Sequence, residues 1–359
     1  MKCRACGQKA VISLRAHNNA LCKDDYLQWF RNNTMKAVRR FKMLEPQDRV
    51  LVAVSGGKDS LALWHLLTGE GFQCDGLYIA QGIGDEELPY SDLSEEACRK
   101  MAEQLGRPLR VARVRESTGA TVPELQKITR RKVCSSCGLA KRYLMNREAF
   151  EGGYTVLATG HNLDDEAAAL FGNVMSWDLQ RLAHQSPVSP QKGERLMKKV
   201  KPFCFFSERE VLAYTMLQRL PYLAAECPHA AGATSLENKD LLNRMEERSP
   251  GAKRRFFSEF LERRALFEAA SPEPEMAFCE RCAMPTLAGV CGFCRLVERV
   301  TASRGEVHYS NVPDEAEVQP RPEVQVVQIE SLPMLSLPDE AEVHPQPEVH
   351  AAQIESLPG

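Results

Sequence analysis

The chain's plainest pattern is an apolar run with no polar break, Val50-Leu51-Val52-Ala53-Val54. It opens into Ser55-Gly56-Gly57-Lys58-Asp59-Ser60 and then into apolar positions at helical spacing. A strand covered on both faces reads as such a run, because neither side needs polar residues. The same pattern recurs downstream. Apolar runs predict strands at 49–54, 74–80, 109–114, 155–159 and 200–205, and helical periodicity predicts helices near 58–68, 94–105, 138–150, 163–175 and 207–218. Alternation of this kind implies an α/β protein with a doubly wound parallel sheet and its ligand at the carboxyl ends of the strands. Residues 55–60 and 159–165 each follow a strand and enter a helix, so they are expected to line one crevice.

The first of these segments has the chemistry of an anion site. Gly56 and Gly57 allow a tight turn with bare N–H groups, and the next helix adds its unpaired N–H groups and positive dipole end. Phosphate is the expected ligand. The spacing does not fit G-x-x-x-x-G-K-[ST], which excludes a Walker-type loop. The second segment, Thr159-Gly160-His161-Asn162-Leu163-Asp164-Asp165-Glu166, puts three acids in a first helical turn, where they suit the dipole. Asp165 has a second reading, facing the phosphate site to hold Mg²⁺, which favours one or two carboxylates plus phosphate oxygens.

Composition narrows the setting. With 359 residues and 43% apolar content the chain can bury a full core and suggests two or three units. It shows no early apolar stretch of signal-peptide type and no run long enough to span a bilayer, so no membrane association and a cytoplasmic location are expected. Most of its 13 cysteines fall in Cys-x-x-Cys pairs, which in a reducing compartment favours metal over disulfide. Cys279, Cys282, Cys291 and Cys294 fit a closed tetrahedral Zn²⁺ site. Cys3, Cys6 and Cys22 supply three ligands of a second Zn²⁺ site, for which Asp25 and His17 are the candidate fourth ligands. Cys74, Cys98 and Cys204 lie in apolar or helical contexts and are expected in the core.

The net charge of −2 conceals a split. Residues 301–359 hold 11 acids against Arg304 and Arg321, a net of −9, which leaves 44 basic and 37 acidic residues in 1–300, a net of +7. The basic body, with clusters at Arg130-Arg131-Lys132 and Lys198-Lys199-x-Lys201, could follow a phosphate backbone. The acidic end carries a two-copy repeat, with Pro313-Asp314-Glu315-Ala316-Glu317-Val318 echoed at Pro338-Asp339-Glu340-Ala341-Glu342-Val343. Its Pro- and Glu-rich composition predicts disorder.

Four motifs then occur in a telling order: Ser-Gly-Gly-Lys-Asp-Ser at 55–60, Cys134-Ser135-Ser136-Cys137-Gly138 followed by Lys141-Arg142-Tyr143, the Thr159 to Glu166 segment, and Glu226-Cys227-Pro228. This order resembles the tRNA 2-thiolation enzymes of the PP-loop ATP-pyrophosphatase superfamily. With the terminal cysteine clusters, the likeness narrows to the 2-thiouridine synthetase branch and covers residues 1 to about 298. The resemblance implies ATP bound by Ala53, Val54, Ser55, Gly56, Gly57, Lys58, Asp59, Ser60, Ile79, Gly160 and Asp165, with Lys58, Asp59, Lys141 and Asp165 catalytic. It further implies that Cys134, Cys137 and Cys227 hold a [4Fe–4S] cluster with one iron open to sulfide. A Cys134–Cys137 redox disulfide or plain buried thiols are the alternatives. Uridine O2 would be adenylated with release of pyrophosphate, and sulfide would then displace AMP at C2.

The implied partners are tRNA, a ubiquitin-like or other sulfur-carrier protein, and a second copy in a homodimer. The implied domains are an N-terminal zinc finger at 1–30, a catalytic domain at 31–230, a helical extension at 231–275, a zinc ribbon at 276–298 and an acidic tail at 299–359. The competing readings are a cytidine 2-thiolase, a lysidine synthetase-like enzyme, and a non-catalytic zinc-finger RNA-binding protein.

Overall fold

A computed structural model describes residues 1–230, 234–271 and 276–304, so the acidic repeat expected beyond residue 304 lies outside the described residues. The chain opens with an antiparallel hairpin, β1 (Ile12–Leu14) and β2 (Asn19–Leu21), followed by α1 (Lys23–Arg40). Tyr26, Phe30, Ala37 and Val38 form the buried stripe of α1. Phe30 stacks on Tyr214 at 4.6 Å and meets Phe206 at 4.2 Å, so this segment shares one hydrophobic core with the sheet.

The central region runs β3 (Arg49–Val54), α2 (Lys58–Gly69), β4 (Gln73–Ala80), α3 (Tyr90–Leu105), β5 (Leu109–Arg113), α4 (Val114–Thr118), α5 (Val122–Thr129) and α6 (Val133–Glu151). It continues through β6 (Val156–Thr159), α7 (Leu163–Met175), α8 (Leu179–His184), β7 (Val188–Ser189), β8 (Lys198–Val200) and α9 (Glu208–Leu217). The strand order is β5-β4-β3-β6-β8-β7, parallel throughout except for β7, which pairs antiparallel with β8 at the edge. From β3 the chain winds outward through β4 and β5 and then returns to place β6 on the other side of β3. That reversal is the topological switch point at which doubly wound sheets bind ligands.

The run at 50–54 is apolar because both faces of β3 are covered. Val50, Val52 and Val54 join Leu61, Trp64 and Phe203 on one side. Leu51 joins Leu77, Leu144 and Leu157 on the other. Each fully buried side chain of this size contributes about 1.5–3 kcal/mol. Gly76 of β4 lies beneath Trp64, and a Cβ there would fall 2.6 Å from the indole ring.

Sequence and structure part company at three places. The strand expected over 200–205 is instead Lys198–Val200. Beyond it the chain turns, with the Cys204 N–H bonding Lys201 O at 3.1 Å and the Phe206 N–H bonding Phe203 O at 2.9 Å. Pro202 has no N–H to give a ladder, and Phe203 and Phe206 are buried from a turn, which mimics a strand in apolar density. Helix α3 begins at Tyr90 rather than near 94. Helix α6 begins at Val133 rather than near 138, so Cys134 and Cys137 stand on its first turns.

The remaining helices, α10 (Thr234–Arg248) and α11 (Ala252–Ala270), pack on α7, and α11 also reaches α8. A two-residue ladder of β9 (Ala277–Phe278) and β10 (Pro285–Thr286) leads into α12 (Gly292–Ser303). Phe293 of α12 lies flat on Tyr143 of α6, centroids 3.7 Å apart and planes 3° from parallel. Among the described residues no helix is long and apolar enough to cross a membrane.

Candidate active site

The loop after β3 is built as a backbone cradle. The Ser55 N–H donates to Ser60 Oγ at 3.0 Å, and Ser60 Oγ donates back to Gly57 O at 3.1 Å. Gly56 takes φ +81°, and a Cβ on it would strike Ser94 O at 2.6 Å, so only glycine fits. No side chain caps α2, which leaves its first N–H groups free for an anion.

The segment after β6 is pressed against this loop. A Cβ on Gly160 would lie 2.7 Å from Ser60 N and 2.8 Å from Asp59 O, and Asn162 Nδ2 donates to Asp59 Oδ1 at 3.2 Å. Asn162 and Asp165 form a reciprocal capping box on α7: the Asn162 N–H donates to Asp165 Oδ2 at 3.0 Å, and the Asp165 N–H donates to Asn162 Oδ1 at 3.2 Å. The capping role expected of these acids is therefore present. Asp165 also faces the cavity, with Oδ1 2.6 Å from Lys239 Nζ of α10.

All three acids of the motif are held by a lysine from a different element. Asp164 pairs with the buried Lys253, Asp165 with Lys239, and Glu166 with Lys201 at 2.7 Å. Burial disfavours ionisation of Asp165, but Lys239, His161 and the Asn162 N–H outweigh it and hold its carboxyl below the usual range. Asp59 goes the other way, because its burial outweighs the neighbouring Lys58 ammonium and raises its carboxyl.

Between these loops and α6 lies a cavity of about 620 Å³. Of the residues named for ATP, Ala53, Val54, Ser55, Gly57, Asp59, Ser60, Ile79, Gly160 and Asp165 line it, together with Lys141. Gly56 and Lys58 stand outside that wall. Gly56 O accepts from the Leu223 N–H at 2.8 Å, and Lys58 Nζ is engaged by Glu208 at 2.6 Å and Asp59 at 3.1 Å. The wall also holds Gln81, Arg142, Lys199 and Lys201. Burial lowers the Lys199 ammonium, with Lys201 and Arg142 adding repulsion.

Sequence reasoning treated 198–201 as a general basic cluster and gave no role to Gln81, Glu208 or Lys239. Lys239 lies in a polar helix whose local pattern carries no sign of the distant Asp165.

The cysteines divide into two kinds. Cys134, Cys137 and Cys227 converge beside the cavity: Cys134 and Cys227 both act electrostatically on Cys137, whose thiol burial pushes up and Lys141 pulls down. Cys134 Sγ meets His229 O at 3.6 Å and Cys137 Sγ meets Gln81 Oε1 at 3.4 Å. Cys134 is exposed and Cys137 and Cys227 are half-buried, and three soft thiols beside one cavity fit an iron–sulfur group.

The other set forms two quartets, Cys279/Cys282/Cys291/Cys294 and Cys3/Cys6/Cys22/Asp25, whose ligand atoms lie within 4.8 Å of one another. Asp25 Oδ2 is 3.1 Å from both Cys3 Sγ and Cys22 Sγ. His17 instead pairs with Glu210 at 3.0 Å and packs edge-on to Trp29, which removes it from the first quartet. Cys74, Cys98 and Cys204 are buried in the core.

The chain matches the PP-loop domain over residues 30–227 and the 2-thiouridine synthetase TtuA N-terminal LIM domain over residues 2–27. It is 47% identical to a Thermus thermophilus tRNA-5-methyluridine(54) 2-sulfurtransferase, across 89% of this chain and 98% of that one. The chain belongs to the tRNA 2-sulfurtransferase family. The tRNA 2-thiolation protein NcsA of Haloferax volcanii is 31% identical, across 84% of this chain and 100% of its own. Among solved structures of the family's fold, the U34-tRNA thiolase NcsA of Methanococcus maripaludis, described with its [4Fe-4S] cluster, superposes with a TM-score of 0.72. It is 27% identical and covers 87% of this chain and 99% of its own.

Proposed function

We propose that this family member is an ATP-dependent tRNA uridine 2-sulfurtransferase. The observation that carries the reading is one cavity with a pyrophosphate cradle on one wall and, on another, α6 bearing Cys137 and Lys141. Uracil O2 is a poor leaving group, so it must first attack the α-phosphate of ATP and expel pyrophosphate. The first N–H groups of α2, which no side chain caps, hold the leaving pyrophosphate. Asp165, kept ionised, and Asp59 supply oxygens for Mg²⁺.

Lys141 and Arg142, on the cavity wall, neutralise the adenylated intermediate until a sulfur nucleophile takes C2 and AMP departs. Lys58, engaged by Glu208, positions the loop's first helical turn. A [4Fe–4S] cluster on Cys134, Cys137 and Cys227 would supply the activated sulfur. The two quartets hold structural Zn²⁺, with no position left open for chemistry. The cations Lys199, Lys201 and Arg142 at the same cavity accept tRNA phosphate.

The reading extends, on the resemblance alone, to the domain bounds 1–30, 31–230, 231–275, 276–298 and 299–359, to a ubiquitin-like or other sulfur-carrier donor, and to a homodimer. A cytoplasmic location belongs with it.

The test is anaerobic reconstitution with iron, sulfide, ATP and tRNA. Mass spectrometry of the nucleosides should show 2-thiouridine or its 5-methyl form with AMP formed in step. AMP formation with a 2-thiocytidine or lysidine product would move the chain to a rival reading. No tRNA-dependent AMP at all would leave only the RNA-binding one.

A further inference from the structure

Gln81, the first residue after β4, is a buried carboxamide with unspent hydrogen-bonding capacity. It is 7% exposed and lines the nucleotide cavity. Its main chain is fixed, since Gln81 O accepts from the Val122 N–H at 2.9 Å. The next residue, Gly82, has φ +64°, and a Cβ there would lie 2.4 Å from Thr121 Cγ2. The side chain is therefore delivered to one place. A carboxamide offers two N–H donors and two acceptor lone pairs, yet here it makes only two contacts, one to sulfur and one long N–H···O. Oε1 accepts from Cys137 Sγ at 3.4 Å and Nε2 donates to Ile79 O at 3.4 Å. A buried carboxamide with two of its four positions filled has room for a further partner.

The geometry points to Gln81 as a positioning residue for the iron–sulfur group, its amide donating an N–H to the Cys137 sulfur. This deepens the function proposed above and rests on it. The contact as it stands needs a proton on Cys137. A cysteine that binds metal is a thiolate and has no proton to give. The acceptor at 3.4 Å then faces a negative sulfur, and a half-turn of the carboxamide replaces that repulsion with an N–H···S hydrogen bond. Little is lost in the turn, because the bond surrendered to Ile79 O is long. Hydrogen bonds to cluster sulfurs stabilise the more negative, reduced state and so raise the reduction potential. Gln81, like Lys141, thus touches a cluster thiol and the nucleotide cavity at once.

The experiment compares reconstituted wild type with Gln81→Leu, which lacks every polar atom, and Gln81→Glu, which keeps the shape but lacks the N–H and adds charge. Iron content, rate of iron loss to a chelator and reduction potential are measured. Both variants are expected to shift the potential to more negative values and to lose iron several-fold faster, Glu more than Leu. Should Leu fail to fold, the near-isosteric Glu variant still decides the matter. A wild-type cluster whose potential and iron retention are unmoved in both folded variants overturns the assignment, even if their ATP affinity falls, for Gln81 would then be cavity wall alone. Wild-type protein that takes up no iron would instead remove the cluster from the function proposed above, and this assignment with it.

Discussion

The two ways in which this chain gathers thiols differ in geometry and setting. The quartet of Cys279, Cys282, Cys291 and Cys294 is compact and supported by backbone, with the Cys291 N–H donating to Cys279 Sγ at 3.2 Å and the Cys294 N–H to Cys291 Sγ at 3.4 Å. Its ligands come from a span of sixteen residues and stand away from the phosphate cradle. Cys134, Cys137 and Cys227 are drawn from segments about ninety residues apart and meet beside the cavity that Lys141 lines. Four donors around one point satisfy a metal and leave it nothing further to bind, while three donors beside a nucleotide cavity leave it something to do. Local sequence suffices to build the first kind. The second requires the whole sheet to be folded.

The sharpest test of that contrast is single replacement of Cys134, Cys137 or Cys227 by Ala. Iron and thiolation should vanish together while the melting temperature changes little, as judged by iron analysis, nucleoside mass spectrometry and calorimetry. Full thiolation by an iron-free preparation would replace the cluster with a persulfide or disulfide route.

Cys282→Ser should do the reverse. Because metal binding at such a site is folding free energy, one zinc should be lost with a stability cost on the order of several kcal/mol. Tyr143 rests on Phe293, so the damage should spread to α6. Tm and zinc content are the measurements, and tRNA-independent ATP binding by the surviving folded fraction should persist.

At the first quartet, Asp25→Ala should weaken zinc binding by more than about tenfold, the least that even outer partners of ligands cause. His17→Ala should leave zinc in place. Competition with a chromogenic chelator reads both, and the opposite ranking would restore His17 as the ligand.

The smallest expected effect concerns charge. Lys239 helps hold the Asp165 carboxyl below its usual range. Lys239→Met should raise that pKa, so the acid limb of kcat/KM moves to higher pH, and Lys239→Arg should move it back. The linked stability has the same sign. A depressed carboxyl stabilises the fold above its unfolded pKa, and that contribution is lost as pH falls through the folded value, so acid unfolding of the Met variant should begin at higher pH. Superimposable pH profiles would show that Asp165 does not titrate in the rate-limiting step.

Much of this was legible in the chain. The Val50–Val54 run, the Gly-Gly turn and the acids after Thr159 express local requirements: burial on two faces, a positive φ at Gly56, and a helix start that needs capping. Other features misled. The Pro202–Phe206 segment looked like a strand because its rings are buried, although they are buried from a turn. The helix expected near 138 begins at Val133, a start the sequence hides because no side-chain cap at Lys132 marks its first turn.

The sequence by itself determined the α/β alternation, the anion cradle, the quartet at 279–294 and three thiols of the first quartet, for each depends on residues that are near neighbours along the chain. Only the tertiary structure decided that Asp25 rather than His17 joins the thiols of the first quartet, that Glu208 engages Lys58, that Lys239 holds Asp165, and that Gln81 stands between Cys137 and the cavity. Each of those pairings joins side chains from elements distant in sequence or chooses between two nearby ones. Charge and hydrogen-bond partners act through distance in space, and no periodicity along the chain encodes that distance.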